Sequence, residues 1–299
     1  MNKQILTALT IISAGIIAGC GSSGDMSSAM NPQGVAKAAV TGKVADGYLV
    51  GATVFLDKNG NYQLDAGESS ATTDVNGAYT LNIAAADVGK YPILAIATKG
   101  VTIDKDTNTA VASTYILSMP AAAVSDTVSN NFISPMSTQL REMMETGTYS
   151  SMQDAMSALS TRLGLPSGTN IMTDYMATNN SSMHTAAQNM ARLMGSQMSQ
   201  VFNASGTSST VDVNRYRGMM GSIFSNISSI KGTGSNSQTA ITNLMGSMMT
   251  GLNGITPGQP FRNMSTAFRG GIIGGMMGGS GISGSGSSTG FGGMMGGRI

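Results

Sequence analysis

Asp57, Asn59, Asn61, Asp65 and Glu68 occupy positions 1, 3, 5, 9 and 12 of a twelve-residue stretch, Asp57-Lys-Asn59-Gly-Asn61-Tyr-Gln63-Leu-Asp65-Ala-Gly-Glu68. That is the donor spacing of a hard-cation site, since Ca²⁺ takes about six to eight oxygens at about 2.3–2.6 Å. Side-chain oxygens come from those five positions, Gln63 at position 7 offers its backbone carbonyl, and Glu68 closes the loop with both carboxylate oxygens. Three carboxylates beside two amides repel one another unless a cation joins them. Tyr62 stands where an EF-hand loop has its invariant glycine, and the flanking segments read as strands rather than helices. The spacing therefore predicts a strand-flanked calcium loop and not an EF-hand. The plainer alternative is a solvated hairpin, because Asp, Asn and Gly are also the ordinary turn formers.

Other chemistry is sparse. His184 is the only histidine and Cys20 the only cysteine among 299 residues. This leaves out most Cys–His and multi-histidine chemistry, and no pair of acids stands apart by spacing. The expectation is a protein that is not an enzyme. Methionine supplies the alternative reading, a periplasmic or surface soft-metal protein, because thioethers select Cu(I) and the chain has 25 of them. Most of these methionines fall on apolar helix faces, where the side chain serves as an adaptable hydrophobe. His184, beside Met183, reads as a helix-surface or packing residue.

The N-terminus carries an export pattern. Lys3 precedes a mostly apolar run from Ile5 to Ile17, too short to span a membrane stably. The run ends in Ile17-Ala18-Gly19-Cys20, which resembles a lipobox. That resemblance implies a signal peptide over 1–19, acylation of the Cys20 thiol and anchoring of the mature chain to a membrane. Gly21, in place of an aspartate after the cysteine, implies the outer membrane, on its periplasmic face or at the cell surface. A single cysteine forms no internal disulfide. Residues 20–36, rich in Ser, Gly and Ala, form a flexible tether.

Charged residues make up only 10% of the chain, and the formal net charge is +1. The acids cluster early: residues 21–150 hold twelve acids and seven bases, whereas 213–299 hold six bases and no acid. Those bases are too few, and aromatics too scarce, for a nucleic-acid surface.

Over 37–120 the signals are short strands. Thr41-Gly-Lys-Val-Ala and Ala52-Thr-Val-Phe-Leu alternate, with Asp46-Gly47 and Gly51 at turns. Asn76-Gly77 supplies a turn before Tyr79, Leu81 and Ile83, which share one strand face. Tyr91 to Thr98 and Val111 to Leu117 complete six or seven strands of a β-sandwich. The order Gly-x-Val-x-Asp-Gly, Gly-Ala-x-Val, calcium-type loop ending Gly-Glu, then Thr-Asp-x-Asn-Gly-x-Tyr resembles the prealbumin-like modules of bacterial surface proteins. It is closest to SdrD B-like and Cna B-type repeats and similar to carboxypeptidase regulatory-like domains. The resemblance implies a stalk or spacer, with Asp57, Asn59, Asn61, Gln63, Asp65 and Glu68 as the calcium ligands. Some Cna B-type modules form a Lys–Asn isopeptide bond; Lys43 lies in the first strand, but no late Asn with a partner acid is assignable.

Over 130–250 the period becomes helical. Ser134-Pro135 marks an N-cap with proline at N1, and Ser150-Ser-Met-Gln153 resembles a capping box. A stripe of Met183, Ala187, Met190, Met194, Met198 and Val201 follows, with further helices at about 211–230 and 237–250. Ile133-Ser-Pro-Met-Ser-Thr-Gln-Leu with Arg162-Leu-Gly-Leu-Pro166 resembles a segment recurring in uncharacterised bacterial lipoproteins. Residues 251–299 are a low-complexity Gly/Met/Ser tail, with fourteen glycines in the last thirty residues, and are expected to be disordered. The expected class is α+β: an N-terminal β-sandwich (prealbumin/Ig-like), a small helical bundle and that tail. The expected role is a lipid-anchored envelope protein, structural, adhesive or binding, with an envelope protein or glycan as partner.

Overall fold

The computed structural model describes residues 35–128, 131–203 and 210–253. The expected signal peptide, Cys20, the tether up to residue 34 and the tail from residue 254 lie outside the described residues. The first strands are β1 (Lys37–Val44), β2 (Leu49–Val50), β3 (Thr53–Leu56), β4 (Ser70–Thr72), β5 (Ala78–Ala84) and β6 (Ile93–Ala97). They are followed by β7 (Ile103–Asp104), β8 (Thr109–Ala110), β9 (Tyr115–Met119) and β10 (Asn131–Ile133). Then come α1 (Pro135–Glu145), α2 (Met152–Leu163), α3 (Ser181–Val201), the short pair β11 (Phe202–Asn203) and β12 (Thr210–Val211), α4 (Val213–Ile230) and α5 (Ser235–Asn253). The class is mixed α+β.

Alternation places β1 and β5. Tyr79, Leu81 and Ile83 are buried while Thr80 and Asn82 are exposed, the two-residue period of a half-buried strand. The two strands pair antiparallel from Lys37↔Ala84 to Lys43↔Ala78. The turn entering β5 is fixed by Asp74, whose carboxylate accepts the Asn76 and Ala78 N–H groups. On the other edge of β1, β10 runs parallel, with Gly42 opposite Asn131 and Val44 opposite Ile133. A Cβ on Gly42 would lie 2.0 Å from the Asn131 carbonyl oxygen, so this pairing requires glycine.

The second sheet has the order β4-β3-β6-β9, antiparallel throughout. Val54 to Leu56, Ile93 to Ala95 and all of β9 are buried, the continuous apolar run of strands covered on both faces. On one side β3 and β4 meet β5; on the other β9 packs on α1 and α3. Strand and helix segments therefore share one core, running from Val40 and Phe55 to Leu140, Met190 and Phe224. A third, small sheet has the order β2-β7-β8. The nine strands between Lys37 and Met119 exceed the six or seven read there from sequence because β2, β7 and β8 are two-residue pieces, too short to show alternation.

Helix α1 begins as Ser134-Pro135 predicts. The Ser134 hydroxyl accepts from the Ser137 N–H and the Ser137 hydroxyl accepts from the Ser134 N–H. The cap of α2 falls on Ser151, which accepts from the Asp154 N–H, one residue past the Ser150 of the expected Ser150–Gln153 box. Asn180 and Asp212 cap α3 and α4, and α5 continues through Asn253, past the expected tail boundary at 251. Met136, Met143, Met183, Met190, Met194 and Met198 are at most 2% exposed; they are core residues of the helices. Among the described residues no helix is long and apolar enough to cross a membrane.

The Gly42→Ala variant is expected to lose roughly 1–3 kcal/mol of stability or more, the usual cost of forcing an atom into a packed site. Its urea midpoint measures this, and an unchanged midpoint would show that β10 does not pack on β1 as described.

Candidate functional site

The loop between β3 and β4 holds all six sequence-predicted ligands. It forms a closed turn built from side chains accepting backbone N–H groups. Asp57 accepts from Gly60 at 2.8 Å and Tyr62 at 3.3 Å. Asn59 accepts from Asn61 at 3.1 Å, and Asn61 from Gln63 at 2.9 Å. Such side-chain turns are what Asp and Asn do best at loop positions. Across the loop, the Asn59 and Asn61 amides both donate to Asp65 Oδ2, at 2.7 and 2.6 Å. Glu68 closes the ends, its two oxygens accepting from the Lys58 and Asp65 N–H groups at 2.7 and 3.0 Å.

Tyr62 resolves the conflict noted at position 6. It adopts φ +63, the left-handed turn that glycine would ordinarily supply. A non-glycine residue there costs about 1–3 kcal/mol. Tyr62 is fully buried, and a tyrosine's ~150–250 Å² at ~25 cal/mol/Å² is worth roughly 4–6 kcal/mol. Burial wins. The side chain leaves the loop and enters the gap between α1 and α4. Its hydroxyl donates to Glu142 Oε1 at 2.7 Å, and its ring meets Tyr216 at 4.7 Å between centroids. The Arg141 guanidinium lies over the same ring at 4.1 Å.

Around this tyrosine runs a charge network that sequence reading missed. Arg141, 1% exposed, pairs with Asp57 at 3.3 Å and with Glu145 at 2.7 Å. Arg217 of α4 pairs with Glu142 at 3.5 Å and with Glu145. The Tyr216 hydroxyl donates to the Ile116 carbonyl of β9 at 2.7 Å. Asp57 thus faces the helices, while Asn59, Asn61, Asp65 and Glu68 remain at least partly exposed. Burial pushes the Glu142 carboxyl up to about 7, with Arg141 and Arg217 pulling the other way.

As a cation site the loop has a mixed character. Among the described residues no group of three His, Cys, Asp or Glu side chains is arranged to hold a metal ion. A calcium site here would draw instead on amide and carbonyl oxygens beside carboxylates, the donor mixture that Ca²⁺ accepts. Asp65 and Glu68 have no ion-pair partner among the described residues, and Asp65 sits where both asparagine amides converge. The residue types match a calcium donor set, whereas the closed turn points the Asn59 and Asn61 NH₂ groups at Asp65 while both amide oxygens accept backbone N–H groups. The Asp57–Arg141 pair already neutralises one of the three carboxylates.

Elsewhere, Lys43 of β1 donates to the Tyr48 hydroxyl at 3.0 Å and pairs with Asp174 at 3.4 Å. His184 contacts Asp106 Oδ2 at 2.6 Å and stacks on Tyr175. Cys20 lies outside the described residues. Compared with protein-family models, curated proteins and solved structures, the chain matches none.

The raised Glu142 carboxyl fixes a pH dependence. Between the usual carboxylate range and about 7 the folded chain binds more protons at this site than the unfolded chain, so stability falls as pH rises through that window. Glu142→Gln is expected to flatten the slope of unfolding free energy against pH. Part of the slope will persist through Asp46, whose buried carboxyl is also pushed up to about 7. An identical slope in the variant would contradict the assignment.

Proposed function

We propose that this chain is a lipid-anchored protein of the cell envelope. In this reading a calcium-stabilised, prealbumin-like β-sandwich module is locked onto a helical platform, and the role is structural or adhesive rather than catalytic. One observation carries it: the 57–68 loop combines a calcium-type donor set with a side chain, Tyr62, inserted between α1 and α4. A cation holding that loop would also hold the β-module against the helices, giving stiffness as its output. Asp57, Asn59, Asn61, Asp65 and Glu68, with the Gln63 carbonyl, are the residues that would bind it. Bound calcium would supply the positive charge that Asp65 and Glu68 lack. The sandwich reading is supported by the alternating burial of β1 and β5 beside the four-stranded sheet. The lipid anchor on Cys20 and the outer-membrane location rest on the Ile17-Ala18-Gly19-Cys20 pattern.

Calcium titration by calorimetry and thermal melting tests this reading. Saturating calcium is expected to raise the melting temperature and protect the 57–68 loop from protease; at a hundredfold excess over Kd the gain is about 2.7 kcal/mol. The double variant Asp65→Asn, Glu68→Gln is expected to lose that response while remaining folded. Absence of both heat and thermal shift at millimolar calcium would sink the calcium reading.

A further inference from the structure

Of the six loop residues that offer calcium-type oxygens, Asp57 alone is buried. Its carboxylate already holds three donors. Oδ1 accepts the Gly60 N–H at 2.8 Å, and Oδ2 accepts the Tyr62 N–H and the Arg141 guanidinium, both at 3.3 Å. The first two donors belong to the loop and shape its turn. The third is a full positive charge supplied by α1.

Arg141 does not depend on Asp57 for its place. Its Nε bonds Glu145, one helical turn on, at 2.7 Å, and the guanidinium lies over the Tyr62 ring at 4.1 Å. A guanidinium stays protonated and carries no acceptor, so it can never become a cation ligand. Asn59 and Asn61 differ in this respect. Their NH₂ groups point at Asp65, but a primary amide carries its own oxygen and presents it when the side-chain end turns over. Those two groups are convertible from donor to ligand; Arg141 is not. A cation entering the loop therefore meets one fixed positive charge, set on the carboxylate at position 1. With Arg141 and Asp57 each 1% exposed, that charge acts where interactions are several times stronger than in water.

We propose that Arg141 is an internal competitor of calcium, a tethered cation that holds the loop's affinity below what its oxygens alone would give. This rests on the calcium reading of the loop and adds the residue that sets its strength. Affinity at such sites follows the charge of the ligand set, and Arg141 offsets one of the three carboxylates. Glu145 modulates the effect, because it shares the Arg141 guanidinium with Asp57. The coupling is reciprocal by linkage: bound calcium weakens the hold of Arg141 on Asp57 by the same factor.

The test is calorimetric titration of calcium chloride into the full chain and its variants, with urea unfolding of each with and without calcium. Arg141→Met is expected to bind calcium about tenfold or more tighter, the scale of one lost hydrogen bond between charged groups. Arg141→Lys keeps the charge and is expected to stay nearer the wild type. Saturating calcium is expected to recover part of the stability that Arg141→Met loses, since the ion then balances Asp57. Should Arg141→Met fail to fold, Glu145→Gln, at a part-exposed residue, decides: it leaves more of the arginine's charge on Asp57 and is expected to weaken binding roughly two- to fivefold. Lys58→Met and Asp126→Asn make the same charge changes at exposed positions and are expected to move the affinity less than about twofold. Unaltered or weaker binding in folded Arg141→Met, unaltered or tighter binding in Glu145→Gln, or equal shifts in the exposed controls would each overturn the inference and leave the calcium reading standing. Calcium binding in neither the wild type nor Arg141→Met would remove the calcium reading, and this inference with it.

Discussion

Tyr62 holds a loop and two helices in one place, and the fold depends on that contact. Its backbone takes the left-handed turn that closes the 57–68 loop, so its side chain has a fixed exit direction. That exit delivers the ring under Arg141 and against Tyr216, with the hydroxyl on Glu142. Glycine would make the turn without strain, yet it would leave the gap between α1 and α4 unfilled. The same residue therefore joins the turn of the 57–68 loop to the packing of that loop against α1 and α4.

The charges around Tyr62 direct the packing more than they strengthen it. Removing Arg141, Asp57 and Glu142 from water costs several kcal/mol per ion, and attraction among these and the part-exposed Arg217 and Glu145 returns that only with good geometry. Here Arg141 Nη1 and Glu142 Oε2 lack hydrogen bonds, so the compensation is incomplete. Breaking such a cluster from one side is nevertheless severe, roughly 3–5 kcal/mol, because the abandoned partner stays buried. Asp57, Arg141, Glu142 and Arg217 thus tolerate one docking arrangement and penalise others. We infer that this selectivity, rather than net stability, is their contribution.

Much of the architecture was legible in the chain. The alternation of Tyr79, Leu81 and Ile83, the Ser134-Pro135 helix start and the Met183–Val201 stripe each express a local rule, and each element formed. The segments after Tyr91 and Val111 were legible as strands, but not the helices that pack on β9. Local rules are blind to what was missed. Nothing in spacing connects Asp57 to Arg141, 84 residues on, and Arg141 and Glu142 look like solvated charges on an amphipathic helix. Asp46 read as a turn former because Asp-Gly is a favoured turn pair; its burial arises only when Tyr115 and Tyr175, distant in sequence, hydrogen-bond to it. Tyr62 was the one residue whose oddity showed in the sequence. Its misfit to the EF-hand pattern was the trace of a long-range contact.

The coupling between loop and helices is measured most directly by a double-mutant cycle on Tyr62→Phe and Glu142→Met, read by urea unfolding. Each single change strands one member of a buried hydrogen bond, whereas the double change removes both. The predicted outcome is an interaction energy of about 0.5–3 kcal/mol, with the double variant more stable than the sum of the single losses implies. Strict additivity would contradict the account, because the loop would then fold without regard to the helices it touches.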